Sequence, residues 1–272
     1  GTDGFVRKYD TAGTVVWTRQ LGTSATDRVN AVAVQSDGSV FVAGETLGAL
    51  FGANAGGVDA FVRKYDAAGT VVWTRQFGTS NSDIALGIAA GPDGTVAVAG
   101  GTAGALTPEH VGDEDAFVRM YDADGNVLWT REYGTGVTRV DRAESVAIGS
   151  DGQVVITGWS FLGGSGNGFV RQYDAAGVFA WGQMVAIGAG TAYPQGVAVA
   201  SDGSVVVTGT QGNFPFVAKY DGSGSQQRAF YYNSQIAFSE SVVVGADGSV
   251  LVGGYTNWSV LGTNAGSDDA YV

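Results

Sequence analysis

Asp59-Ala60-Phe61-Val62-Arg63-Lys64-Tyr65-Asp66-Ala67-Ala68-Gly69 is the stretch whose reading decides the fold, because the chain writes it again and again. Near copies start at Asp3 and at Asp115, equally far to either side. A third is Gly168-Phe169-Val170-Arg171-Gln172-Tyr173-Asp174, and a weaker one is Phe216-Val217-Ala218-Lys219-Tyr220-Asp221. The chain stops at Asp269-Ala270-Tyr271-Val272, where a sixth copy starts. Self-similarity at a near-fixed period marks a fold built from one supersecondary unit.

Working outward, each unit reads as four strands. Phe61 to Asp66 alternates and ends in a turn signal at Asp66-Ala67-Ala68-Gly69. Thr70 to Phe77 is β-branched and aromatic around Trp73, a position filled elsewhere by Trp17, Trp129 and Trp181 but by Arg228 in the weak copy. Ile84 to Ala90 leads to Pro92-Asp93-Gly94, and Thr95 to Gly100 follows. Asp-Gly between apolar runs is a strong hairpin signal, because glycine takes positive φ without a Cβ clash. It recurs at Asp37-Gly38, Asp151-Gly152, Asp202-Gly203 and Asp247-Gly248. No apolar period of 3.6 residues is sustained, so helices are expected to be scarce.

Composition agrees. The 272 residues include 45 glycines and four prolines, and 44% are hydrophobic, enough for a large core. Apolar runs are far shorter than the roughly 20 residues a spanning helix needs, so no membrane insertion is expected. The net charge of −12 argues against nucleic acid as a partner. With no cysteine there are no disulfides, thiolate metal sites or cysteine nucleophiles. The acidic, lysine-poor make-up inclines towards an extracellular or cell-surface bacterial location.

Four short antiparallel strands cannot bury both faces of their own sheet; neighbouring copies can do it for them. If the strand before Asp-Gly is innermost (A), the next is B, Phe-Val-Arg-Lys-Tyr-Asp is C and the Trp strand is outermost (D). The chain then runs C-D, four times A-B-C-D, and A-B with the start of C. Residues 56–69, and Asn30-Ala31-Val32-Ala33-Val34-Gln35-Ser36-Asp37-Gly38-Ser39-Val40-Phe41-Val42-Ala43-Gly44-Glu45-Thr46, resemble the bacterial SBBP β-propeller repeat family, with a WD-repeat-like blade order. The resemblance covers essentially the whole chain and implies an all-β propeller of four-stranded blades in one domain, 1–272. Five blades are expected, with an arc of a six- or seven-bladed propeller, cut from a longer repeat protein, as the alternative. In a five-bladed ring Gly4–Asp10 would clasp the last A-B hairpin, a slot for which Asp269–Val272 competes.

The B–C connections are long at Glu45–Val58, Thr102–Glu114 and Tyr255–Asp268 and short after Gly158 and Gly209, whereas the A–B and C–D turns are uniform. By the fold analogy, variation at one end points to a recognition face there. Seven residues before each hairpin Asp stand Asn30, Leu86, Glu144, Gln195 and Glu240; the polar ones are candidate ligand contacts. Trp159, Tyr193, Tyr255 and Trp258 break the repeat on the same face and suit a sugar-stacking platform. Ten residues before the hairpin Asp, Asp27, Asp83 and Asp141 are candidate Ca²⁺ ligands or, more simply, loop caps, and two copies have Ala192 and Ala237 instead. His110, the single histidine, reads as part of a solvated acidic loop; one histidine does not make the usual metal cluster. Arg7, Arg19 and their repeats read as exposed partners of acidic neighbours.

These features favour a non-enzymatic binding module for a glycan or protein, with no obligate cofactor. The alternatives are a structural or self-associating repeat module and, less favoured, a glycosidase using Glu144 and Glu240.

Overall fold

A computed structural model describes all residues except 163–164, 186, 188–189, 232–236, 257–268 and 272. It is all-β among the described residues, and four of its sheets are the repeated four-stranded antiparallel blades that the sequence implies, flanked in chain order by a two-stranded and a three-stranded sheet. The chain falls into two compact units, Gly1–Ala143 and Glu144–Val272. The first holds β1 (Gly4–Tyr9) and β2 (Val15–Leu21) as a two-stranded sheet. Two four-stranded sheets follow: β3 (Asp27–Val34) to β6 (Val71–Phe77), with β4 (Val40–Thr46) and β5 (Asp59–Tyr65) between them, and β7 (Asp83–Ala90), β8 (Val96–Thr102), β9 (Asp115–Tyr121) and β10 (Val127–Tyr133). Strand β11 (Val140–Ile148) carries the boundary and heads a sheet with β12 (Val154–Leu162), β13 (Ser165–Tyr173) and β14 (Phe179–Val185). The second unit continues with β15 (Ala192–Val199), β16 (Val205–Gln211), β17 (Phe214–Tyr220) and β18 (Gln226–Tyr231), then β19 (Ala237–Val244), β20 (Val250–Thr256) and β21 (Asp269–Tyr271).

Strands lie in chain order within every sheet, so strands A to D take the expected places. The place beside β20 is filled by β21, through Gly254↔Tyr271 to Thr256↔Asp269, and not by the N-terminal strand. β1 pairs with β2, and Phe5 is 67% exposed where its repeats Phe61 and Phe117 are fully buried. The difference is the B strand that flanks β5 and β9 but does not flank β1 in its sheet.

The B strands β4, β8 and β16 are buried on both faces, which is why they read as unbroken apolar runs and not as alternating ones. Val40 and Val42 enter one core cluster with Trp17 and Val6; Phe41 and Ala43, on the other face of the same strand, enter a second with Trp73, Val96 and Val98. The β3–β6 sheet thus closes the core of the one before it and opens the core of the next.

The outer strands fasten these layers. Trp17 Nε1 donates to the Ala67 carbonyl at 3.1 Å, Trp73 Nε1 to Ala123 at 2.9 Å and Trp181 Nε1 to Gly222 at 3.1 Å, each acceptor lying in the C–D turn of the following sheet. Arg19 and Arg75 grip the same turns, donating to the carbonyls of Gly69 (2.6 Å) and Gly125 (2.8 Å) and lying 5.6 Å over the rings of Trp17 and Trp73. These arginines therefore bind backbone carbonyls and not the acidic neighbours expected from sequence; Arg7, Arg63 and Arg119 instead donate to Thr18, Thr74 and Thr130. The indoles pack on the next sheet's tyrosines, Trp17 on Tyr65 at 5.9 Å and Trp181 on Tyr220 at 6.0 Å. Turn aspartates such as Asp66 accept the N–H groups of Ala68 and Thr70, and the Thr70 bond leads in holding that carboxyl below its ordinary value of 3.8.

Gly69 has φ of +79°, and a Cβ there would meet Trp17 Cδ2 at 2.7 Å; Gly13, in the matching turn between β1 and β2, has the same φ with open space around it. Gly13→Ala should therefore cost about 1–2 kcal/mol for the left-handed backbone alone. Gly69→Ala should cost about 1–3 kcal/mol more, because the methyl also pushes into the indole. Urea unfolding of both variants measures the difference, and equal losses would mean that the indole does not seat on that turn.

Candidate functional site

Strand A begins, and strand B ends, at the edge of each sheet that carries the B–C connections, as the pairs Asp27↔Thr46, Asp83↔Thr102 and Ala192↔Gln211 show. Within strand A the ladder slips once: Asn30, Leu86, Gln195 and Glu240 are each skipped between the paired residues on either side. Asn30, Gln195 and Glu240, picked out by spacing, are thus β-bulge residues. A bulge bends the strand and re-aims one side chain, which frees that side chain from the ladder's inside-outside alternation. Opposite each bulge lies a glycine, Gly44, Gly100, Gly209 or Gly254, where a Cβ would run into the carbonyl oxygen of Arg28, Ile84, Tyr193 or Phe238 respectively. That close approach is the reason for the recurring glycine in the B strands.

The side chains at this repeat position take different partners. Asn30, in the first unit, donates to the Ala85 carbonyl of the next strand A at 2.9 Å. In the second unit Glu144 accepts the indole N–H of Trp159 at 2.6 Å, so two residues selected separately form one pair. Trp159 also meets Phe161 edge to face, centroids 6.5 Å apart. Tyr193, 37% exposed, lies against the β12–β13 hairpin, where a Cβ on Gly166 would come within 3.4 Å of its ring. Tyr255 stacks on its cross-strand partner Phe238 at 4.8 Å and 18°. Phe214 and Tyr231 make a further edge-to-face pair at 6.5 Å, with the Tyr231 hydroxyl donating to Gln211 Oε1 at 2.8 Å. Phe161, Phe214, Tyr231 and Phe238 were not selected from sequence; each is unremarkable alone, and only the register shows them sharing one edge with Trp159 and Tyr193. Trp258 lies outside the described residues.

The aspartates at the strand A entries are buried and hold their own corners. Asp27 accepts Thr23 N–H at 2.6 Å, Thr23 Oγ1 at 2.9 Å and Thr46 Oγ1 at 2.5 Å. Asp83 repeats the pattern with Thr79 and Thr102, and Asp141 accepts the backbone N–H and hydroxyl of Thr135. Burial pushes the Asp83 carboxyl above its ordinary value despite these donors. Three donors to one carboxylate supply what a loop cap needs.

The same edge contains one more cross-strand position that changes chemistry from sheet to sheet. It is a diagonal pair two residues off the paired register: Asp3 with Gln20, then Asp59 with Gln76, then Asp115 with Glu132, then Asn167 with Met184, then Phe214 with Tyr231. Gln20 donates to Asp3 at 2.6 Å, and Gln76 donates to Asp59 at 2.8 Å while accepting the N–H groups of Leu50 and Phe51. The Glu132 side chain has no N–H to give Asp115, and His110 Nδ1 stands between them, 3.1 Å from Glu132 Oε2 and 3.3 Å from Asp115 Oδ2. His110 is only 17% exposed, so it is not the solvated loop residue that its acidic surroundings in sequence suggest. Burial raises the Glu132 carboxyl above its ordinary value. The replacement of Gln20 and Gln76 by Glu132 in an otherwise near-identical strand was the sequence signal for this cluster.

Residues 16–52 match the family model for the SBBP beta-propeller repeat. Regulatory protein FlaEY of Caulobacter vibrioides is 33% identical over 171 residues, which is 56% of this chain and 17% of that protein. The chain therefore spans about a sixth of the length of this relative. Among solved structures, virginiamycin B lyase from Staphylococcus aureus superposes with a TM-score of 0.57 at 16% identity, covering 98% of this chain and 76% of the lyase. A protein of unknown function from Bacteroides caccae gives 0.54 at 15% identity, covering 90% and 74%. At these identities the likeness to solved structures is one of fold alone.

Gly44→Ala and Gly100→Ala should each lower stability by about 1–3 kcal/mol, because a methyl opposite a bulge forces the strands apart. The check is the urea midpoint at constant m-value; an unmoved midpoint for both would mean that the bulges do not require glycine.

Proposed function

We propose that this repeat chain is a non-enzymatic binding module of an extracellular or cell-surface protein, and that its second unit presents the binding edge to a glycan. The observation that carries this reading is the pair Glu144–Trp159, with Tyr255 at the position equivalent to Trp159 and with Tyr193 and Phe238 equivalent to one another at the strand A entries of the next two sheets. Rigid aromatic faces offer apolar area at low entropic cost, and a carboxylate beside them supplies an acceptor for hydroxyl groups. The corresponding positions of the first unit hold Arg28 with Glu45, an ion pair at 2.7 Å, and Ile84 with Gly101, neither of which makes a stacking platform. Gln195 and Glu240, aimed by their bulges, add polar contacts along the same edge.

The indole bond to Glu144 orients the ring, which supports a platform over a glycosidase acid in that place. The reading places Ca²⁺ outside the binding step, since the donors around Asp27, Asp83 and Asp141 come from their own loops.

An array of immobilised oligosaccharides probed with the wild-type chain and with Trp159→Ala, Tyr193→Ala and Glu144→Gln tests the reading. Binding to at least one neutral glycan, weakened about tenfold or more by Trp159→Ala and Tyr193→Ala, is the expected result. Glycan binding untouched by all three variants, or no glycan binding alongside capture of a protein partner, would overturn it.

A further inference from the structure

We propose that His110, Asp115 and Glu132 form a binding site for one divalent transition-metal ion, with Zn²⁺ as the ion their chemistry suits. The three residues come from the B–C connection, the first residue of β9 and the end of β10, and their ligand atoms lie within 4.8 Å of one another. Both carboxylates are fully buried, and the imidazole is partly buried beside them.

Charge carries the argument. In the preceding sheet this position buries one carboxylate, Asp59, and gives it a neutral amide, Gln76, as donor. Here the amide is replaced by a second carboxylate and the loop delivers the chain's single histidine between the two. Two buried carboxylates side by side repel one another, and a protonated imidazole would cancel only one of the two charges. A dication cancels both. One imidazole nitrogen with two carboxylate oxygens is a ligand set that zinc and its neighbours accept, and three protein ligands leave a coordination position open.

The ligands are already oriented. Asp115 accepts the N–H groups of Val111 at 2.6 Å and Gly112 at 2.9 Å, and Glu132 accepts that of Thr107 at 2.5 Å. Such supporting bonds fix carboxylate direction before a metal arrives. Glu109 stands at the same strand, its Oε2 accepting the Glu132 N–H at 3.3 Å. An ion held here would clamp the loop between Thr102 and Asp115 onto β10. Asp27, Asp83 and Asp141 lack an imidazole partner among the described residues, so the site differs in kind from the Ca²⁺ candidates read from sequence.

The experiment uses the untagged full chain, stripped with EDTA and dialysed. It is titrated with ZnCl₂ by calorimetry and with CoCl₂ by visible absorption. The wild type is expected to take up one equivalent, show the cobalt d–d band and melt at higher temperature with zinc than without. Glu132→Gln, which restores the residue found at positions 20 and 76, and His110→Ala should each weaken uptake at least about tenfold. Circular dichroism verifies that both variants stay folded. No uptake by the wild type, meaning that His110 bridges the carboxylates without an ion, overturns the proposal, as does uptake that both variants retain.

Discussion

An indole reaching off its own sheet to close on the hairpin turn of the next is the contact on which the architecture depends. Trp17, Trp73 and Trp181 each combine a hydrogen bond to a turn carbonyl with ring packing on that sheet's tyrosine. The turn must end in glycine for the ring to settle on it, and the turn's aspartate fixes its backbone. A four-stranded sheet with a B strand apolar on both faces has no stable existence alone; it needs a neighbour on each side. Outer-strand tryptophan, turn glycine and two-faced inner strand are therefore one device, which is why they recur together.

This dependence explains what could be read from the chain. Strand order, turn positions and the alternation of scaffold residues follow from local patterns, because a repeat shows the same pattern several times and chance does not. The bulge was visible only as a position whose residue type refused to settle, Asn30, Leu86, Gln195 and Glu240. That it was a bulge depends on cross-strand pairing, which no spacing within one strand encodes. The arginines of the outer strands were misread for a related reason: their acceptors are carbonyls, and carbonyls leave no trace in a sequence.

The candidate sites were half legible. Trp159 and Tyr193 stood out because they break a repeat, whereas the bond from Trp159 to Glu144 joins different strands of one sheet and appears only with the fold. The His110 cluster was masked by its own composition, since an acidic loop with one histidine looks solvated until a neighbouring strand buries it. Its clue lay in comparing Gln20, Gln76 and Glu132, a change of one amide to one carboxylate. A repeat protein separates its constraints in this way: positions that couple sheets stay fixed, and the cross-strand pairs at the loop end are free to become a cap, an ion cluster or an aromatic pair.

Hydrogen exchange in a Trp73→Ala variant tests the coupling most directly, because Trp73 belongs to β6 but closes on the turn between β9 and β10. Loss of the indole should lower protection together in the β3–β6 and β7–β10 ladders, by an amount approaching the global loss of stability. Loss of protection confined to β5 and β6, with β9 and β10 unchanged, would contradict the account.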